Sequence, residues 1–215
     1  MAAQRAPGQR AGLTRQAVLE AALRLVDQEG LKALSMRRLG AELGVEAMTL
    51  YHHVPNKTAL LDGMIEQVVA EAVPPAFGAD TWREDLSTYA HALVAALDKH
   101  PHAVPLLLSR PAMTPRNLRT LEAVVEMLHG AGFALPRTLD ILYSLTSFVV
   151  GHAAAQVGRV DGAGSLASLD PEAYPLLVAA ARDAGEDAAA ARFDFALDAL
   201  LAGFERELAA TSPAG

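Results

Sequence analysis

The chain has 215 residues, 52% of them hydrophobic and 5% aromatic, no cysteine and a formal net charge of −7. That length and apolar content suit one or two globular domains with a sizeable core. The lack of cysteine excludes disulfides, thiolate catalysis and cysteine-type zinc sites, and is compatible with a reducing cytoplasm, the expected location. No apolar run approaches the ~18 residues of a membrane span. The first twelve residues, MAAQRAPGQRAG, lack the apolar core of a signal peptide.

Charge is unevenly placed. Residues 1–60 carry 8 Lys and Arg against 5 Asp and Glu, a net of +3; residues 61–215 carry 10 against 20, a net of −10. A basic N-terminal part on an acidic body points to a local anionic partner such as DNA, which would repel the rest of the chain.

Residues 1–12 show no periodicity and read as a disordered arm, either a plain tail or a basic arm that touches the DNA backbone or minor groove. A first helix is predicted from the N-cap Thr14 to Gly30, with Val18, Ala21, Ala22, Leu25 and Val26 at helical spacing. Ser35 is a second N-cap, opening a helix to about Leu43. Gly44 breaks it, and a third helix covers about 46–52. Asn56 caps a fourth helix that runs to about Val73. Pro74-Pro75 begins a linker that ends at Thr81. Thr81 and Glu84 have capping-box spacing and open a fifth helix to about Lys99. Pro101 restarts a short sixth helix ending near Ser109. Thr114-Pro115 opens a seventh that reaches Gly130, and Pro136 an eighth that ends near Gly158. A loop rich in Gly and Ser follows over 158–169. Asp170-Pro171-Glu172 starts a ninth helix, and a last one spans about Glu186 to Ala209. No strand or repeat is predicted, so the fold class is all-α.

Residues 35–57, SMRRLGAELGVEAMTLYHHVPNK, hold the most informative pattern. Leu39 and Leu43 face inward from one short helix, and Val45 and Leu50 meet them from the next. Gly40 is small where the helices cross closely, and Gly44 supplies positive φ in the turn. Two short helices around a tight glycine turn make the helix-turn-helix pattern, although an ordinary helical hairpin shares the spacing. Ala47, Met48, Thr49, Tyr51, His52 and His53 lie outside the core set. Lys57, at the start of the fourth helix, sits at a natural phosphate seat.

From Leu13 to Met64, and most distinctively in TLYHHVPNKTALLD, the chain resembles the DNA-binding domain of the TetR family. Weaker likeness at Trp82, in Leu-Ser-Arg-Pro at 108–111, at Gly132-Phe133 and from Phe148 to Gly151 extends it to the tetracycline-repressor subgroup. The resemblance implies an N-terminal three-helix DNA-binding domain over 13–60 and a helical ligand-binding and dimerisation domain over 61–215. It places Arg37 as the base-reading arginine, whose fork suits guanine. Thr49, Tyr51 and Lys57 match phosphate or base-edge contacts, and His52 replaces an aromatic while still able to bond phosphate. Ala47 and Met48 stand where the subgroup has a Gln-Pro pair, so a different site is expected, with apolar contact to a thymine methyl. Ser35 serves as a phosphate contact or as a helix cap.

For the body, the resemblance implies an effector pocket among the fourth to eighth helices, assigned to Tyr89, Leu93, Leu106, Ser109, Arg110, Val124, Leu139, Leu142, Phe148 and His152. Arg110 is equally a structural hydrogen-bonder, and His152 a pocket residue, a seam residue or a satisfied core histidine. A homodimer is implied through the eighth and last helices, fitting Val149, Phe193, Leu197, Leu200, Leu201 and Phe204; an intramolecular core is the other reading of that spacing. Leu106 and Val73 stand where the subgroup has histidines, and Ala155 where it has an acid. Such side chains cannot hold magnesium, which takes oxygen ligands. No metal, cofactor or catalytic residue is expected. His100 and His102, beside Pro101, read as surface groups. No Ser-His-Asp arrangement is legible, so an enzyme is not expected. The expected function is a repressor released from a pseudo-palindromic operator by a small apolar effector other than tetracycline–Mg. The alternative is a ligand-independent DNA-binding regulator or activator of the same fold.

Overall fold

The computed structural model describes residues 13–72, 77, 81–109, 113–160, 166–183 and 188–211. Among these residues the chain forms α-helices and short 3-10 turns with no strand, as expected for an all-α fold. The helices are α1 (Arg15–Glu29), α2 (Met36–Leu43), α3 (Ala47–Tyr51), α4 (Lys57–Ala72) and α5 (Trp82–Lys99). They continue with α6 (Val104–Ser109), α7 (Pro115–Gly130), α8 (Leu135–Val160), α9 (Pro175–Asp183) and α10 (Ala188–Thr211).

Helix starts follow local chemistry. Thr14, Ser35, Thr81 and Thr114 each accept a backbone amide three residues on, satisfying an otherwise orphaned donor. The Thr81 hydroxyl also donates to the Glu84 carboxylate at 3.1 Å, a side-chain link between the two residues of the expected capping box. One start differs from expectation. Asp170 does not open α9; its Oδ1 accepts the Glu172 amide at 2.9 Å in a local turn, and the helix begins at Pro175.

Helix α4 joins the two ends of the molecule, packing against α1 on one side and α5 on the other. Gly63 allows the first contact, because a Cβ there would lie 2.5 Å from Leu19 Cδ2. The buried apolar residues form one continuous cluster, from Val18 and Leu39 in the head through Met64 and Leu93 to Val149 and Leu201 in the body. At about 25 cal/mol per Å² of apolar area, such burial is the main force holding the helices together. Helix α9, by contrast, packs mainly against the 3-10 turn Leu166–Ser168. No described helix is long and apolar enough to cross a membrane.

Candidate functional site

The head is built around Leu34, Leu39, Leu50 and Val54, all essentially inaccessible to solvent. Leu43 and Val45 face inward as expected, half-buried and packed against this core. Gly44 ends α2 in the left-handed region, at φ 67° and ψ 29°. Its amide donates to Ala41 O and the next amide, of Val45, to Gly40 O at 2.9 Å, which closes the helix and turns the chain into α3. At Gly40 a Cβ would meet Val45 O at 2.8 Å and Ala47 N at 3.2 Å. The angle between α2 and α3 therefore depends on that missing side chain.

Leu50 anchors α3 inward, which turns Met48 (70% exposed), Thr49, Tyr51 and His52 outward, with Ala47 half-buried beside them. The two arginines of α2 differ sharply. Arg38 is paired with Glu29 of α1 and with Glu42 one turn on. Its hydrogen bond to Glu29 holds that carboxyl below its ordinary range. Arg37 is exposed and makes no such pair among the described residues. Its guanidinium is free to face α3's partner, whereas Arg38 braces α2 against α1. Ser35 Oγ caps α2 through Arg38 N at 3.1 Å, which gives the residue its structural role. Lys57 Nζ donates to Leu34 O at 3.0 Å, tying the start of α4 to the entry of α2. An ammonium has three donors, so two remain for an anion. Asn56 caps α4 by accepting the Ala59 amide at 2.8 Å.

In the body, Tyr89, Leu93, Leu106, Val124 and Leu142 are buried, and Phe148 and His152 are half-buried. Burial pushes the Tyr89 hydroxyl up to about 12, so it stays a neutral phenol at any ordinary pH. Phe148 stacks on Phe193 at 5.1 Å between ring centroids, and His152 meets Phe193 edge-on at 5.0 Å. Gln156 Nε2 lies 3.2 Å from His152 Nε2 and donates to it, leaving the other ring nitrogen as the one that carries hydrogen. Two expected pocket residues point elsewhere. Leu139 is exposed on the outer side of α8, and Ser109 is exposed at the end of α6, its hydroxyl donating to Leu106 O. Arg110 lies outside the described residues, as does Val73.

The residues expected at a subunit seam also need correction. Val149, Phe193, Leu197 and Leu201 are buried within their own chain, and Leu200 and Phe204 are half-buried against the same core. On these two helices the exposed large apolar side chains among the described residues are Leu135, Leu139 and Tyr143 on α8 and Phe195 on α10, Tyr143 and Phe195 being 68% and 78% exposed. On α8, helical spacing alone could not choose between the two faces, because the exposed set and the buried Ile141, Leu145 and Val149 both repeat every four residues.

A cleft of about 560 Å³ lies between α5 and α10, lined by Thr81, Arg83, Glu84, Ser87, His91, Asp194, Leu197, Asp198 and Leu201. It brings together a serine, a histidine and an aspartate that were not paired in the sequence reading. His91 Nδ1 lies 2.8 Å from Ser87 O and 3.5 Å from Ser87 Oγ, and Nε2 lies 2.9 Å from Asp194 Oδ1. A carbonyl and a carboxylate only accept, so both ring nitrogens donate and none is left as a base for the serine. The Asp194 hydrogen bond accordingly raises the His91 pKa. Arg83 closes the cleft by pairing with Asp198 and Glu205.

His102 is exposed, as expected, but His100 is not a plain surface group, its side chain being largely covered. His100 Nδ1 lies 2.8 Å from Asp27 Oδ2 of α1 and Nε2 3.3 Å from Glu71 Oε1 of α4. His102 Nδ1 donates to Val26 O at 3.0 Å. These partners stand 73, 29 and 76 residues away, so no local signal announces them. Among the described residues, no group of three or more His, Asp or Glu side chains is arranged to hold a metal ion.

Two family models cover the chain: bacterial regulatory proteins of the tetR family over residues 18–64, and the tetracyclin repressor-like C-terminal domain over residues 74–208. The chain is 36% identical to the HTH-type transcriptional repressor DrrR1 of Streptomyces coeruleorubidus over 151 residues, 70% of this chain but only 56% of that protein. It is 31% identical to the class D tetracycline repressor protein of Escherichia coli over 211 residues, 93% of each. Among solved structures, apo ActR of Streptomyces coelicolor superposes with a TM-score of 0.78 at 27% identity, over 94% of this chain and 99% of that one. ActR in complex with actinorhodin superposes at 0.76 and 28%, over 92% and 99%. The first match is head and the second is body, and the chain belongs to the TetR family of bacterial regulatory proteins.

Proposed function

We propose that this chain is a ligand-responsive repressor that binds a pseudo-palindromic operator as a homodimer and leaves it when a small apolar effector enters the body. TetR-family proteins bind DNA operators and small molecules and act as dimers. The observation that carries the reading is the outer face of α2 and α3. Arg37 is unpaired among the described residues, Met48, Thr49, Tyr51 and His52 are exposed beside it, and Arg38, Ser35 and Gly40 hold the helices that present them. Arg37 supplies the guanine-reading fork, and Met48 an apolar surface for a thymine methyl. Thr49, Tyr51, His52 and Lys57 supply phosphate contacts, which fix register on the duplex.

The dimer face is the stripe Leu135, Leu139 and Tyr143 with Phe195, since these apolar groups are uncovered by their own chain. The effector site lies among Tyr89, Leu93, Leu106, Val124, Leu142, Phe148 and His152. Its polar atoms are a neutral phenol and an imidazole, a set suited to an apolar molecule with one or two hydrogen-bonding groups rather than to a magnesium chelate. ActR, which shares this fold, has been solved in complex with actinorhodin.

The test is an operator selected from a random duplex pool by the protein, followed by release with actinorhodin and with tetracycline–Mg as probes. Release by the former but not the latter supports the reading. Enrichment of no duplex by a folded protein sinks it, and release by tetracycline–Mg alone sinks the effector class. A duplex bound unchanged in both favours the ligand-independent regulator.

A further inference from the structure

Two histidines join the body to the reader head, and their bonding goes beyond what packing requires. His100 follows the last turn of α5, the helix that also carries Tyr89 and Leu93. Eleven residues separate Tyr89 from His100, roughly 16 Å along a helix at 1.5 Å per residue. The imidazole is only 14% exposed and sits between two carboxylates on different elements, Asp27 of α1 and Glu71 of α4. Carboxylates accept only, so each ring nitrogen donates. Lys99 supports Glu71 from its other oxygen at 3.5 Å. His102 binds the last-turn carbonyl of Val26, beside Asp27 on the same helix end.

From there a second polar link leads to the reader. Two residues beyond Asp27, Glu29 pairs with Arg38, the neighbour of Arg37 on α2. Two polar contacts at one end of α1 thus lead from the body, through His100 and Asp27, to α2 of the reader, through Glu29 and Arg38.

We propose that Asp27, His100 and Glu71 form a clasp through which the state of the body is passed to the reader head, with His100 as the positioning residue. The inference rests on the regulator reading above and adds the residues that couple its two sites. Because coupling is reciprocal, operator binding must also change the body. Trp82 reports that change. It is the only tryptophan of the chain, it stands at the far end of α5 from His100, and it packs edge-on against Phe133 at 5.1 Å.

The experiment titrates a duplex, selected from a random pool by the wild-type protein, into wild type, His100→Ala and His100→Gln. Labelled-DNA anisotropy reads affinity, and Trp82 emission reads the body. Wild type binds with a change in emission. His100→Ala binds within about threefold of wild type, since the head itself is intact, yet loses about three quarters of the emission change. His100→Gln, whose amide still offers two hydrogens to the carboxylates, recovers at least about half of it. Glu71→Ala removes the more exposed partner and must show the same loss even where His100→Ala is too unstable to compare. A full emission change in both alanine variants overturns the clasp, as does a wild type that binds DNA with Trp82 unmoved. Selection of no duplex at all overturns the regulator reading itself.

Discussion

In the head, the exposed large apolar side chains are Met48 and Tyr51, both on the five-residue helix α3 beside the unpaired Arg37. In the body they are spread over several elements, but three of them, Leu135, Leu139 and Tyr143, form a stripe along the long helix α8, with Phe195 exposed on α10. Two such groups next to a free guanidinium match the edge of a few base pairs. A stripe repeating every four residues along a helix matches another helix. The same excess of apolar surface thus has two meanings, set by the length of the element and the charge around it. The head carries the positive balance and the body the negative one, so DNA is drawn to the first and kept from the second.

The comparison breaks most visibly at the body stripe. Replacing Tyr143 and Phe195 together by Glu places two charges where the partner's apolar groups should pack. Each central aromatic is worth about 2 kcal/mol, so dimerisation should weaken by about 1,000-fold in sedimentation, with helical content retained. An unchanged dimer would return the seam to some other surface. In the head, Gly40→Val drives a side chain into Val45 O. It should cost roughly 1–3 kcal/mol of stability and, by moving α3, up to about 100-fold in operator affinity. Arg37→Ala should cost roughly 1–3 kcal/mol of binding and relax the preference at one base position. Arg38→Ala should instead lower thermal stability while sparing that preference, because Arg38 faces Glu29 and Glu42.

The smallest expected effect lies in the cleft between α5 and α10. The pKa of His91 is raised in the folded chain, chiefly by Asp194. Its contribution to stability is therefore complete below the unfolded value of 6.5 and is lost as pH rises through the folded value. Both partners are half or more exposed, so less than about 1 kcal/mol is at stake. His91→Ala should remove that slope from denaturant midpoints measured between about pH 6 and 8. A slope that persists would assign it to another group.

The head was the more legible half of the chain. Its caps, turn and core residues act within three to five positions of each other, so Ser35, Gly40, Gly44 and Leu50 could be placed from spacing alone. The body was legible in its helices but not in their rotation. On α8 the exposed Leu135, Leu139 and Tyr143 and the buried Ile141, Leu145 and Val149 both repeat every four residues, and only packing against the rest of the chain decides which face is covered. Leu139 was misassigned to the pocket for the same reason. Contacts between distant segments left no trace in the sequence. His91 meets Asp194 across 103 residues, and His100 meets Asp27 across 73. The Arg38–Glu29 pair was hidden as well, since it joins α2 to α1.

The central claim is that α2 and α3 read DNA in pairs, one set from each subunit. Hydroxyl-radical footprinting of the selected duplex tests it most directly. The account predicts two protected half-sites related by pseudo-twofold symmetry, with centres about 10–10.5 base pairs, or a multiple of that, apart. It predicts that Arg37→Ala weakens protection in both halves alike. A single protected patch without symmetry, or a footprint indifferent to Arg37, would contradict it.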